Sequence, residues 1–142
     1  MSAENVTLVR RMVEDHWNRR NAALVPELFA SNVSLQTPDG PLSGHSGAMA
    51  LLQTYDTGFP DFRINIDELL DAGEHVVLQW RFTGTFRGSL AGIPPTGRSV
   101  NMTPGIAIFR VEGGKISAGR LVWDKYELLQ QMGVLTVTAS GA

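Results

Sequence analysis

Residues 113–133 read GGKISAGRLVWDKYELLQQMG. Gly113-Gly114 is a tight turn, residues 115–124 form a strand, and residues 125–132 form a short closing helix with Gly133 as its C′ residue. One carboxylate, Asp124, stands at the junction with apolar residues on both sides. Along the strand Arg120, Val122 and Asp124 share one face, and Leu121 and Trp123 share the other. Asp124 and Glu127 make a D-x-x-E pattern directly before an apolar helical run, which is the pattern of a capping box. An apolar pocket around Asp124 would instead disfavour its charged form and ready it for proton transfer. The two readings are not exclusive, and both stand at this point.

Upstream of this stretch the period is two. Residues 74–85 place Val76, Leu78, Trp80 and Phe82 on one face, and residues 99–112 make another long strand. Pro104-Gly105 inside the latter predicts a bulge or bend. Phe62, Ile64 and Ile66 alternate with Arg63, Asn65 and Asp67, a strand with one solvated face. RGSLAGIPPTGR, residues 87–98, is a Gly/Pro-rich connection.

Further upstream the pattern is helical. Val6, Val9, Met12, Val13, His16 and Trp17 follow i, i+3, i+4, i+7 spacing. Asn21 is placed to cap a second, shorter helix through Leu24, Val25, Leu28 and Phe29, which Pro26 limits. Val33, Leu35 and Thr37 suggest a short strand, TPDGPLSGHSG (residues 37–47) a loop, and Ala48 to Tyr55 a third helix ended by Gly58 and Pro60. Helices first and strands later, with short turns between the long strands, give an α+β domain with a mostly antiparallel sheet.

Composition sets the outer limits. The chain has 142 residues, enough for a real core in one domain spanning 1–142. Its net charge of -2, with no basic run, points away from nucleic acid and anionic membrane surfaces. No cysteine is present, which excludes disulfides and thiolate chemistry. No signal-type or membrane-spanning apolar run is seen, so a cytoplasmic location is expected. Residues 136–142, TVTASGA, read as a frayed tail.

Several pieces, taken in order, resemble a known family. Trp17-Asn18 ends the first helix, Phe59-Pro60-Asp61 precedes the first long strand, and Gly84-Thr85 and the loop Ile93-Pro94-Pro95-Thr96-Gly97-Arg98 follow. Then come Gly114-Lys115-Ile116, and Asp124 seven residues before Gln131-Met132-Gly133. From about residue 6 to residue 133 the chain resembles the SnoaL-like polyketide cyclases, in the nuclear-transport-factor-2-like superfamily.

The resemblance implies a cone, a curved antiparallel sheet wrapped around three N-terminal helices with a short C-terminal helix. It implies an apolar pocket inside the cone, homodimers or higher oligomers through the sheet, and no cofactor. The cyclases use the aspartate matching Asp124 as general acid/base in an intramolecular aldol closure. Arg120 is the candidate for polarising a substrate carbonyl, although it lies about 13 Å back along the strand at roughly 3.3 Å per residue. His16, Trp17, Thr37, Trp80, Phe86 and Met102 are the candidate substrate-binding residues. The expected ligand is a small or polycyclic apolar ketone.

There are departures from the family's pattern. Where the well-studied cyclases carry Gln and His on the strand before the G-K-I turn, this chain aligns Gly105 and Ala107, and Phe86 stands where many relatives have His. An enolate needs donors where its charge develops. A ligand-binding domain without chemistry is therefore the alternative. So is the cofactor-independent hydroxylation or isomerisation done by related proteins. The base Asp of the ketosteroid isomerases aligns with Thr37. The Arg-x-Asp pair of the limonene-epoxide hydrolases has only Arg81-Phe82-Thr83 as its nearest equivalent.

Overall fold

The computed structural model describes residues 2–136. The expected frayed tail lies, beyond Thr136, outside the described residues, as does the side chain of Met102.

The first helix, α1 (Ser2–Arg11), does not stop at Arg11. It widens into a π-helical turn, Met12–Trp17, closed by the Asn18 N–H donating to the Val13 carbonyl at 2.9 Å. The wide turn sends Met12, Val13, His16 and Trp17 into the core together. Such turns recur at functional sites. Asn18 then acts as a piece of strand. Its amide nitrogen donates to the Ile64 carbonyl at 2.9 Å, and its amide oxygen accepts from the Ile64 N–H at 2.8 Å. Arg20 fastens the same corner. Its guanidinium donates to Asp56 and to the carbonyls of Asn18, Pro60 and Phe62, and it lies 3.7 Å over the Phe62 ring.

Two expectations for the next segment need correction. Asn21 makes no side-chain cap, because the chain enters a 3-10 turn, Ala22–Leu24, before α2 (Val25–Leu28). The stretch around Gly40 is not a loop. Strand β1 (Phe29–Thr37) turns at Pro38-Asp39 and returns as β2 (Gly40–Ser43), with Thr37 opposite Gly40. Gly40 supplies the φ of +117° that this turn needs. Helix α3 (Gly44–Gly58) follows.

Strands β3 (Arg63–Ala72), β4 (His75–Thr85), β5 (Ser99–Glu112) and β6 (Lys115–Trp123) form successive hairpins, and α4 (Lys125–Gln131) closes the fold. The sheet order is β2-β1-β6-β5-β4-β3. Among the described residues only β1 and β6 run parallel; the other pairs are antiparallel. Pro104-Gly105 makes no bulge against β4, since both residues keep their ladder partners, Arg81 and Trp80. The register shift falls instead between Phe82 and Gly84.

Motifs that pointed to the family are joints of this architecture. Asp61 accepts from the Thr85 N–H at 2.7 Å and from its hydroxyl at 2.8 Å, tying the start of β3 to the end of β4. Gly84 sits close against its neighbours, since a Cβ there would lie 3.2 Å from both Phe59 and Phe62. Thr96 donates to the Met132 carbonyl, so the Pro-rich loop holds the end of α4. The α+β cone is therefore the observed fold. Among the described residues no helix is long and apolar enough to cross a membrane.

Candidate functional site

The inner face of the sheet decides where the site lies. On β6 it carries Leu121 and Trp123, and on β4 it carries Trp80 and Phe82. These residues, with Trp17 and residues of α3 and α4, enclose a cavity of about 70 Å³. A water-sized group occupies about 10–15 Å³ on the same scale and a cavity of about 150 Å³ holds benzene, so the space as it stands takes part of one ring and not a polycycle. Trp17 and Trp80 meet edge to face, with centroids 6.4 Å apart. Leu51, Tyr55 and Trp123 are partly exposed and mark the mouth; Trp80, Leu121 and Leu128 are buried behind them.

Polar groups at this cavity are few. The Thr103 side chain lines it and is buried. The Tyr55 hydroxyl donates to Asp39 Oδ2 at 2.6 Å, and Asp39 Oδ1 meets Lys125 Nζ at 2.7 Å. Burial pushes the Tyr55 phenol above its ordinary range, and the hydrogen bond and charge of Asp39 push it further. The Trp123 indole N–H acts on the phenol oxygen in the opposite direction. That approach falls short of hydrogen-bond geometry, and Trp123 Nε1 is buried with no partner. The two rings pack edge to face at 5.6 Å.

Of the residues singled out from sequence, Trp17 and Trp80 line the cavity. Phe86 is fully buried elsewhere, stacked on Phe59 at 5.5 Å. Thr37 closes the β1–β2 turn, donating to the Gly40 carbonyl at 2.8 Å and accepting from the Asp39 N–H at 3.1 Å. His16 is wholly buried, and its Nδ1 lies 3.1 Å from the Asn21 carbonyl. A carbonyl only accepts, so Nδ1 carries the proton and Nε2 is a bare acceptor, buried without a partner. Burial holds the His16 pKa below its usual value, against the opposing effect of the Asn21 carbonyl.

Arg120 stands on the other face of β6, and Asp124 is the first residue beyond the strand. Asp124 is exposed and accepts from the Glu127 N–H at 2.9 Å, which makes it the N-cap of α4. Arg120 is exposed on the outer side of the sheet, opposite Ile108. The structure thus brings neither side chain to the cavity wall. Tyr55, Asp39, Thr103 and Trp123 were missed by sequence reading. Tyr55 lies sixteen positions after Asp39, with the strand β2 between them, and no local motif joins them.

The missing donors on β5 have a spatial explanation. A Cβ on Gly105 would lie 2.2 Å from Trp80 Cζ2. The indole of Trp80 therefore fills the space that a side chain at position 105 would enter. Ala107, two residues on, is buried between Leu78 and Leu121 in the ladder. Among the described residues no group of His, Asp and Glu is arranged to hold a metal ion.

The family model for SnoaL-like polyketide cyclases matches residues 7–132. The chain belongs to this family. Solved structures agree on the fold. A candidate SnoaL-like polyketide cyclase from Jannaschia sp. CCS1 is 22% identical, with a TM-score of 0.86 over 95% of each chain. A candidate hydroxylase from Streptomyces galilaeus is 23% identical, with a TM-score of 0.83 over 99% of this chain and 92% of its own. A candidate polyketide cyclase from Bacillus cereus is 25% identical, with a TM-score of 0.80 over 94% of this chain and 83% of its own. None of the curated proteins matches the sequence.

Proposed function

We propose that this SnoaL-like protein binds a small apolar ketone ring-first in the cone and acts on it by cofactor-free acid/base chemistry of the cyclase type. The cavity carries this reading, being walled by Trp17, Trp80, Phe82 and Leu121 with the polar side chain of Thr103 among them. In an aldol closure a base removes a proton α to a carbonyl, and the enolate attacks a second carbonyl. The developing oxyanion needs a fixed donor, and the hydroxyl of Thr103, which lines the cavity, is the proposed one. Asp124 follows Trp123 in the chain and is the proposed proton-transfer group. It must leave its bond to the Glu127 amide to reach a ligand.

That same bond favours a second reading, a binding domain in which Asp124 only caps α4. The two separate by experiment. With 1-indanone as probe, the enzyme reading expects α-proton exchange into deuterated buffer, followed by NMR, that is lost in Asp124→Asn while the thermal melt is unchanged. Asn caps about as well as Asp, whereas Asp124→Ala costs about 1 kcal/mol. Exchange that persists in Asp124→Asn removes Asp124 from the chemistry. Wild-type exchange no faster than buffer leaves the binding reading.

The outer sheet face supports self-association as part of this proposal. Ile106 and Val122 are paired in the ladder and 50% and 59% exposed, and Ile108 beside them is 47% exposed. A contiguous apolar patch of this kind on a soluble protein marks an interaction surface. A second copy of the chain is the proposed occupant.

A further inference from the structure

Strand β5 carries three small residues in succession on its inner face, Thr103, Gly105 and Ala107, and all are buried. Their ladder partners on β4 are large, Phe82, Trp80 and Leu78. On β6, Gly105 and Ala107 lie opposite Trp123 and Leu121. The small residues are therefore the floor of a trough between two rows of large side chains. Thr103 reaches the cavity wall. At Gly105 the wall is the Trp80 indole, with Cζ2 only 2.2 Å and Cε2 2.3 Å from where a Cβ would stand.

The absent side chain of Gly105 lets the ring lie flat across the strand, a close approach that a larger residue would block. On its other side the indole meets the edge of Trp17, and it is only 4% exposed. The ring is thus fixed in the trough and does not swing out of a ligand's path. About 70 Å³ is left in front of it, room for part of one ring. A ring inserted past Leu51, Tyr55 and Trp123 comes to rest against the indole.

We propose that Trp80, lying across Gly105, is the specificity-determining residue of this cavity. It plugs the trough along β5 and limits the ligand to a single ring, excluding ketones that carry a second fused ring. The inference rests on the cavity being the ligand site, and it adds the size class of the ligand.

Acetophenone and 2-acetylnaphthalene are the probes, the same methyl ketone with one ring and with two, and binding is followed by calorimetry. In wild type 2-acetylnaphthalene is expected to bind no more tightly than acetophenone, although its extra ring adds apolar surface that favours burial. In Trp80→Leu the ratio of the two affinities should shift toward 2-acetylnaphthalene by about tenfold, the effect of burying roughly two more carbon atoms. Adding Gly105→Val refills the trough from β5 and should cancel that shift. If Trp80→Leu does not fold, Trp80→Phe is read in its place, with a shift of about threefold in the same direction.

A core that is merely loosened would admit both ligands more readily and would keep its gain when Gly105→Val is added. Equal gains for the two ligands, a gain that survives Gly105→Val, or a wild-type preference of tenfold or more for 2-acetylnaphthalene overturns the role of Trp80 while leaving the cavity as the ligand site. Failure of acetophenone to bind wild type overturns both.

Discussion

Gly105→Ala adds one methyl group where the structure has no place for it. The new Cβ would sit 2.2 Å from Trp80 Cζ2, 2.3 Å from Cε2 and 2.8 Å from Cη2. Carbon atoms pack at about 3.5–4.0 Å, so the indole must retreat by more than about 1 Å. It is 4% exposed and backed by Trp17, so it has little freedom to do so. Overpacking of this kind costs roughly 1–3 kcal/mol, and contact with the rigid ring places Gly105→Ala near the upper end, at about 3 kcal/mol. For a domain of this size that is a fall in Tm of roughly 6–12 °C. Trp80→Leu removes the obstructing ring. In that background Gly105→Ala is expected to be neutral or stabilising, a coupling of about 2–3 kcal/mol across the double-mutant cycle. Urea denaturation of the four proteins measures it. A single Gly105→Ala change within about 0.5 kcal/mol of wild type, or the same cost in both backgrounds, would refute the reasoning that the indole occupies this space.

Two further outcomes follow from other parts of the structure. His16 stays neutral in the fold because its pKa is lowered, whereas an unfolded chain takes up the proton as pH falls below about 6.5. The unfolded state then binds more protons, so stability falls as pH drops through that value, with a slope of up to about 1.4 kcal/mol per pH unit. The loss ends once pH passes below the folded-state pKa. Urea midpoints at pH 7.0 and 5.5 should show a smaller difference in His16→Met than in wild type; an equal difference would remove His16 as its source. On the outer sheet face, Ile106→Glu should convert a self-associated protein to monomer in light scattering without lowering the Tm, because Ile106 is half exposed in the single chain. An unchanged mass would dismiss that surface.

The long strands were legible because their alternation is undiluted. Val76, Leu78, Trp80 and Phe82 on one face of β4 are all buried. β6 gave two faces from its period but not their direction. Val122 makes the outer face apolar too, and only pairing with β5 turns Leu121 and Trp123 inward. Asp124 was put forward by the resemblance rather than by the strand's period, which leaves open which face points inward. The β1–β2 hairpin was hidden by its own turn chemistry, since Pro38, Gly40 and Pro41 read as loop while β2 is only four residues long. The π-helical turn leaves no mark in a pattern whose apolar positions already sit on one face. The Asp39–Tyr55–Trp123 cluster joins a turn, a helix and the end of a strand, so it exists only once the cone is closed.

The single parallel pair in the sheet has a consequence for how the chain is made. Leu35 of β1 lies opposite Gly119 of β6, roughly 80 residues later. At synthesis rates of about 5–20 residues per second, β1 waits roughly 4–16 s for its neighbour. Until then its hairpin with β2 covers one edge and the other is open, the condition that invites pairing with a foreign strand. The exposed face of β1 in the finished protein is Ser31, Asn32, Ser34 and Gln36. Those polar side chains leave the waiting strand little apolar surface on that face, which lowers its tendency to pack against a foreign strand in an interval that the folded structure no longer displays.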